Sequence, residues 1–248
     1  MNKNKIIGIV LSIAAIAAVG LFVVQRVQQS RQLAQTSGTQ LTDTRYQVTD
    51  QQDDLYKSSV LINSKEKENE FGTGYAVGKN TVVTNRHVIQ EVKKHPEKAY
   101  VRVGHKDKNG KVTFQEFDIK DIVTPKDESI DVAVLHTKPN ADGKCVGDYA
   151  KPAEYGDSSK IKEGSKLTLV GYPGDKDYGT LWAGTGEVDM ADGGMISFRV
   201  TSAPGNSGSP LFDESGKVVG MNNAGDTGKS FGFLIDEEIK TFVAENIE

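Results

Sequence analysis

The chain has 248 residues, 30 Lys and Arg against 34 Asp and Glu, a formal net charge of −4, one cysteine and 37% hydrophobic residues. That length holds one or two domains with a sizeable core, and the acidic balance supplies no basic field to hold a polyanion, which excludes nucleic acid as the main partner. A lone Cys145 excludes an intramolecular disulfide framework and, with no Cys/His cluster beside it, a thiolate zinc site; no metal and no cofactor are expected.

Lys3 and Lys5 precede an apolar stretch over residues 6–24, broken only by glycines and Ser12. Its length lies between a secretory signal and a membrane-spanning helix, so residues 1–24 are expected to form an apolar helix serving as a signal peptide or membrane anchor. The positive charge ahead of it keeps that end cytoplasmic and places the rest outside, extracellular or at the cell surface. Residues 25–57 are rich in Gln, Ser, Thr and Asp and poor in large apolar residues, which reads as a solvated, flexible stalk or propeptide.

From residue 58 onward, short strand-like runs alternate with turn residues, at 58–62, 71–77, 81–84, 99–103, 111–117, 119–124, 132–137, 166–171, 179–190, 195–200, 210–212, 218–222 and 230–235. So many short strands with 26 Gly and little helical periodicity argue for an all-β domain of antiparallel barrels or sandwiches. Residues 138–163, rich in Pro, Gly and Asp, read as the connection between two strand groups. Residues 236–247 carry Asp236 as a cap, then Ile239, Phe242, Val243 and Ile247 at helical spacing, which predicts a C-terminal helix.

Three segments make sense only together. His87 follows a strand in Thr-Asn-Arg-His-Val, Asp131 opens the apolar run Asp-Val-Ala-Val-Leu, and Ser207 sits in Gly-Asn-Ser-Gly-Ser-Pro. Glycines on both sides of Ser207 let the backbone turn so that the amides of Gly205 and Ser207 point at one oxygen. A serine hydroxyl needs a base to take its proton as it attacks. Histidine, with an ordinary pKa of about 6.5, suits that role, and a carboxylate fixes its tautomer. The order His, Asp, Ser along the chain is that of chymotrypsin rather than of subtilisin or the α/β-hydrolases.

Residues FGTGYAVGKNTVVTNRHV (71–88), DVAVL (131–135), GYPGDK with Leu181 and Trp182 (171–182), and GNSGSPLF (205–212) resemble the chymotrypsin-like serine proteases, and within them the bacterial, staphylococcal-type glutamyl endopeptidases. The resemblance extends over most of residues 58–248. It implies two antiparallel six-stranded β-barrels, barrel one at about 58–138 and barrel two at about 164–235, with the C-terminal helix packed on them. It also implies His87 as general base, Asp131 as orienting acid, Ser207 as nucleophile, and the N–H groups of Gly205 and Ser207 as oxyanion donors.

The same resemblance places Thr201, Ser202 and Asn222 at the primary specificity pocket. Thr201 stands where trypsin-like enzymes carry an acid, so cleavage after Arg or Lys is not expected. Ser202 keeps the hydroxyl with which glutamyl endopeptidases bind a substrate carboxylate, but Asn222 replaces their histidine and cannot be cationic. The pocket is therefore expected to take Glu or a neutral polar side chain. Asn206 stands where trypsin pairs an Asp with its new amino terminus, so activation is expected either through trimming between about residues 30 and 57 or through a pocket that works without it.

The remaining candidates read as non-catalytic: His95 and His105 solvated, His136 outward on its strand, Cys145 a thiol without function, and Asp236, Glu237 and Glu238 as helix-capping acids. Two competing functions stand beside an exported serine endopeptidase acting on protein or peptide substrates as a monomer, tethered through residues 6–24 if uncleaved. One is a stress-type, high-temperature-requirement-like surface protease. That family usually carries Gly-Gly where this chain has Gly208-Ser209, and the chain after Ser207 is too short for its peptide-binding domain. The other is a non-catalytic adhesin or toxin on a protease scaffold, which would not need all three triad members.

Overall fold

A computed structural model describes residues 43–49, 55–66, 71–106 and 109–248. The expected apolar helix at residues 1–24 lies outside them. Among the described residues no helix is long and apolar enough to cross a membrane.

The described residues form thirteen strands: β1 (Tyr46–Gln47), β2 (Ser59–Ser64), β3 (Phe71–Ala76), β4 (Thr81–Thr84), β5 (Ala99–Lys106), β6 (Val112–Val123), β7 (Ala133–Thr137), β8 (Lys166–Gly171), β9 (Trp182–Asp192), β10 (Met195–Phe198), β11 (Pro210–Phe212), β12 (Val218–Asp226) and β13 (Lys229–Leu234). Strands β2-β3-β4-β7-β6-β5 close into one antiparallel barrel. A second sheet runs β9-β10-β13-β12-β11-β8 and closes through β8–β9 pairing, with β1 appended to β9. The two six-stranded barrels inferred from the resemblance are therefore present. The helix α1 (Glu237–Ala244) follows, capped by the Asp236 carboxylate accepting from Ile239 N–H at 2.9 Å, and it buries Ile239 and Val243 one turn apart.

The burial pattern explains why some strands read as unbroken apolar runs. In β2, Val60 and Ile62 point into the barrel-one core while Leu61 points out into a second cluster. In β4 and β7, Val82, Ala133 and Leu135 face the first core, and Val83 and Val134 face the second cluster. That second cluster also takes Val170, Tyr172, Phe212, Met221 and Ile235 from the other half of the chain, with Ile239 and Val243 from α1. Strands covered on both faces lose polar alternation. By contrast, β6 alternates exposed and half-buried residues over its first half. Barrel two closes on Leu167, Leu169, Val188, Ile196, Phe198 and Leu211.

Four local expectations need correction. Residues 111–117 and 119–124 form one strand, β6, which changes partner: Asp118 pairs with Tyr100 of β5, Ile119 pairs with Thr137 of β7, and the register slips between Ile119 and Asp121. A bulge of this kind bends a strand around a barrel corner without ending it. His136 shares the outward face of β7 with Val134 but is buried there, not solvated; its Nδ1 lies 2.5 Å from Asp121 Oδ1 and its Nε2 2.7 Å from the Asn246 carbonyl. His105 is half-buried against the Tyr149 ring, centroids 4.9 Å apart. Within the stretch that composition marks as a stalk, β1 pairs with β9 and Arg45 is buried, because main-chain pairing and a paired guanidinium need no apolar side chains.

Candidate active site

The antiparallel register Thr84↔Ala133 between β4 and β7 runs the chain beyond Thr84 alongside the chain before Ala133. His87, just past β4, and Asp131, just before β7, therefore emerge at the same barrel end. The chain turns at His87–Ile89 into a short 3-10 helix anchored by the fully buried Ile89. Asp131 meets His87 twice: Oδ1 accepts the His87 backbone N–H at 2.9 Å, and Oδ2 lies 2.7 Å from Nδ1. An ionised carboxylate only accepts, so this contact places a proton on Nδ1 and, in the neutral ring, leaves Nε2 with its lone pair free to accept.

Two neighbours hold this pair and were missed in the sequence. Asn85 donates to the Asp131 carbonyl at 3.0 Å. Arg86 donates to the carbonyls of Pro125 (2.6 Å), Asp127 (2.8 Å) and Ile130 (3.1 Å), fastening the loop that leads into Asp131. Their position directly before His87 is the one sequence signal that could have singled them out.

Ser207 arrives from the other barrel, on the loop between β10 and β11, and β3 is its docking edge. Thr73 N–H donates to the Ser207 carbonyl at 2.9 Å, and Thr73 Oγ1 donates to the Gly205 carbonyl at 2.8 Å. Gly208 has φ +83°, and a Cβ there would stand 2.1 Å from the Thr73 carbonyl and 2.2 Å from Thr84 Oγ1, so only glycine lets this loop reach β3 and β4. A Cβ on Gly72 would touch both a Val88 methyl (2.6 Å) and the Ser207 carbonyl (3.3 Å). The residue after His87 and the Ser207 main chain thus converge on one glycine.

The Ser207 hydroxyl donates to the Asn223 carbonyl at 3.1 Å rather than to His87. The structure therefore brings His87 and Asp131 into contact and carries the Ser207 main chain to the glycine that Val88 also adjoins, with the Ser207 side chain turned to β12. Among the described residues neither the Gly205 nor the Ser207 N–H donates to a protein acceptor, and Gly205 has φ +95°.

Thr201, Ser202 and Asn222 form one buried polar group. Asn222 Nδ2 donates to Ser202 Oγ (3.2 Å) and to the Asn206 carbonyl (3.0 Å), so both amide protons are used, and Oδ1 has no protein partner. Thr201 Oγ1 accepts from Gly228 N–H at 2.8 Å, and Ser202 N–H donates to the Asp226 carbonyl at 3.2 Å. These bonds draw the two walls together: a Cβ on Gly225 would stand 2.6 Å from Ser202 Cβ.

Among the described residues, Asp121, His136 and Glu248 are the carboxylate and imidazole groups close enough to share a metal ion. Their contacts are those of an ion-pair cluster, since Lys120 Nζ holds both Glu248 oxygens at 2.9 and 3.0 Å.

The model of the trypsin-like peptidase domain matches residues 72–221, more than half of the chain. Glutamyl endopeptidases of Staphylococcus aureus are similar: that of strain MW2 is 30% identical over 210 residues, 82% of this chain and 62% of its own, and that of strain MRSA252 is 29% identical, covering 82% and 57%. The chain thus spans about three-fifths of the length of these curated relatives. Among solved structures, a Glu endopeptidase in complex with MPD superposes with TM-score 0.68 at 21% identity, covering 83% of this chain and 97% of its own. Deg5 superposes with TM-score 0.56 at 22% identity, covering 74% and 86%. With both barrels closed and the matched segment running from Gly72 to Met221, the chain belongs to the trypsin-like peptidase domain family.

Proposed function

We propose that the protein is an exported serine endopeptidase that cleaves peptide bonds through an acyl-enzyme. The observation that carries this reading is the double contact between Asp131 and His87, set beside a Ser207 loop whose two flanking N–H groups have no protein acceptor. In the reaction, Ser207 Oγ leaves the Asn223 carbonyl by a change of side-chain rotamer and gives its proton to His87 Nε2 as it attacks the scissile carbonyl. The Gly205 and Ser207 N–H groups hold the resulting oxyanion. His87 then gives the proton to the leaving amine, and water repeats the sequence to release the acid. Asp131 keeps the imidazole oriented throughout.

The pocket reading follows from hydrogen-bond bookkeeping. Asn222 has no amide proton left for a substrate carboxylate and Ser202 offers a single hydroxyl proton, so a short neutral polar side chain fits better than Glu. The staphylococcal relatives are named glutamyl endopeptidases, and the resemblance implies a histidine where this chain has Asn222. Export rests on the Lys-flanked apolar stretch at residues 6–24.

Phenylmethanesulfonyl fluoride tests the chemistry. It is expected to add one sulfonyl group to Ser207, found by peptide mass mapping, and to add none to Ser207→Ala; an unmodified wild-type Ser207 would remove the hydrolase reading in favour of a non-catalytic scaffold. A peptide library then tests the pocket, with strict Arg, Lys or large aromatic preference as the outcome that defeats it.

A further inference from the structure

The segment at residues 43–48 is tied to barrel two by an ion-pair network that composition does not announce. The Arg45 side chain is 1% exposed and makes two forked contacts. Its Nε and Nη2 donate to Asp43 Oδ1 (2.9 Å) and Oδ2 (2.7 Å), and its Nη1 and Nη2 donate to Asp175 Oδ1 (3.0 Å) and Oδ2 (2.6 Å). Lys176 Nζ reaches Asp43 Oδ2 at 3.2 Å and lies 4.4 Å from the centre of the Trp182 ring. The main chain is stitched on as well, with Tyr46 opposite Ala183, Gln47 opposite Trp182, and Val48 N–H donating to the Leu181 carbonyl at 2.8 Å.

What Arg45 holds is adjacent to the reacting loop. Asp175 follows Gly174, whose N–H donates to the Pro204 carbonyl at 2.6 Å. That carbonyl and the Gly205 N–H belong to one peptide unit, and among the described residues there are no cis peptide bonds. In a planar trans peptide the carbonyl and the N–H point in opposite directions, so fastening Pro204 O to Gly174 turns the Gly205 N–H away from Gly174. A flipped Pro204–Gly205 peptide would lose the Gly174 bond and bury its donor direction against the 171–176 loop. The buried guanidinium also fixes Asp175 more tightly than one point charge could, because each fork allows only one plane.

We infer that the strap at residues 43–48 is a positioning element of the catalytic centre, with Arg45 acting through Asp175 and Gly174 to hold the Gly205 N–H in its oxyanion-binding orientation. This inference rests on the proposed serine hydrolase chemistry. It also bounds maturation: a cut before Asp43 leaves the network whole, whereas a cut after Val48 removes Arg45, so an active trimmed form is expected to begin at or before Asp43.

The test is pre-steady-state acylation by p-nitrophenyl acetate, an ester reactive enough to need no specific pocket, measured on the full chain for wild type, Arg45→Ala, Arg45→Lys and Asp175→Asn. The burst rate constant reports the acylation step at each competent site, and the burst amplitude reports the fraction of competent sites. Loss of one oxyanion donor lowers catalysis by about 10²-fold or more, so the three variants are expected to lose about 10²-fold in burst rate constant at wild-type amplitude. A strap that serves stability alone would instead lower amplitude and melting temperature and leave the rate constant per site unchanged, which overturns the inference. If Arg45→Ala fails to fold, Arg45→Lys and Asp175→Asn keep most of the packing and decide the matter by the same split. An unchanged rate constant in a wild type that does burst overturns the strap's role only. A wild type that forms no acyl-enzyme removes the hydrolase reading, and the strap's role with it.

Discussion

Asp131→Asn isolates the tautomer argument, because it changes one atom and almost no volume. Wild-type Asp131 uses both oxygens on His87, Oδ1 for the backbone N–H at 2.9 Å and Oδ2 for Nδ1 at 2.7 Å. An asparagine has one acceptor to distribute. If its NH₂ faced the backbone N–H, two donors would oppose each other at a cost of about 1–3 kcal/mol, so its oxygen takes that position and its NH₂ faces Nδ1. Nδ1 must then accept, the ring proton moves to Nε2, and the ring can no longer take the Ser207 proton. The expected loss is about 10⁴-fold in kcat, equivalent to about 5 kcal/mol of transition-state stabilisation. The burst assay with p-nitrophenyl acetate measures it at neutral pH, and thermal melting checks that the substitution leaves the fold intact. Activity within about tenfold of wild type in a normally folded Asp131→Asn protein would refute the assignment of His87 as base, whatever the Ser207 labelling result.

Four further outcomes follow from other contacts. Arg86→Ala removes three charge-assisted bonds to the Pro125, Asp127 and Ile130 carbonyls; stability is expected to fall by about 1–3 kcal/mol and the burst rate to fall with it, and Arg86→Lys restores neither because an ammonium cannot span three acceptors. Gly208→Ala must hold a side chain at φ +83° with its Cβ 2.1 Å from the Thr73 carbonyl; the expected reading is near-zero burst amplitude, and a full amplitude would show that the loop docks differently. Leu135→Ala empties a fully buried position in the barrel-one core, with an expected loss of about 2–5 kcal/mol in urea unfolding and no change in rate constant per folded site. Arg45, by hydrogen bonding, holds the Asp43 carboxyl well below the usual carboxylate range and lowers that of Asp175. A depressed folded-state value contributes stability above the unfolded carboxylate pKa of about 4, lost as pH falls through the folded value. The melting temperature of wild type is therefore expected to fall more steeply on acidification below about pH 4 than that of Arg45→Gln, and parallel curves would count against the ion pairs.

What the sequence made legible is what is decided locally. The apolar runs of β2, β4 and β7 announced strands because both of their faces are covered, and Asp236 announced α1 because a cap is a contact between near neighbours. The sequence singles out His87, Asp131 and Ser207 as candidates because each lies in a short segment of constrained residue types; of these the structure brings His87 and Asp131 into contact, while Ser207 depends on Gly208 for its loop to reach β3 and β4. The misses are contacts between residues far apart in the chain. Residues 43–48 carry too little apolar surface to suggest order, and their order comes from Asp175, 130 residues away from Arg45. His136 sits on a strand whose alternation gave no reason to bury it, yet Asp121 and the Asn246 carbonyl supply acceptors for both ring nitrogens. The single strand β6 looked like two because its pairing partner changes at Asp118, a property of the closed barrel rather than of the residues there.

On the proposed function, chemistry and selectivity draw on different contacts in this site. In the proposed site the Ser207 loop is held by main-chain contacts, Thr73 N–H on the Ser207 carbonyl and Gly174 N–H on the Pro204 carbonyl, and His87 by its N–H on the Asp131 carboxylate. In the proposed pocket, Asn222 uses both of its amide protons inside the protein. An imidazole at that position could carry a positive charge toward a substrate carboxylate, whereas the amide presents an unpartnered acceptor oxygen, which a carboxylate would face at an electrostatic cost. On the proposed function, substrate preference is therefore expected to shift with residue 222, whose side chain also holds the Asn206 carbonyl next to Ser207.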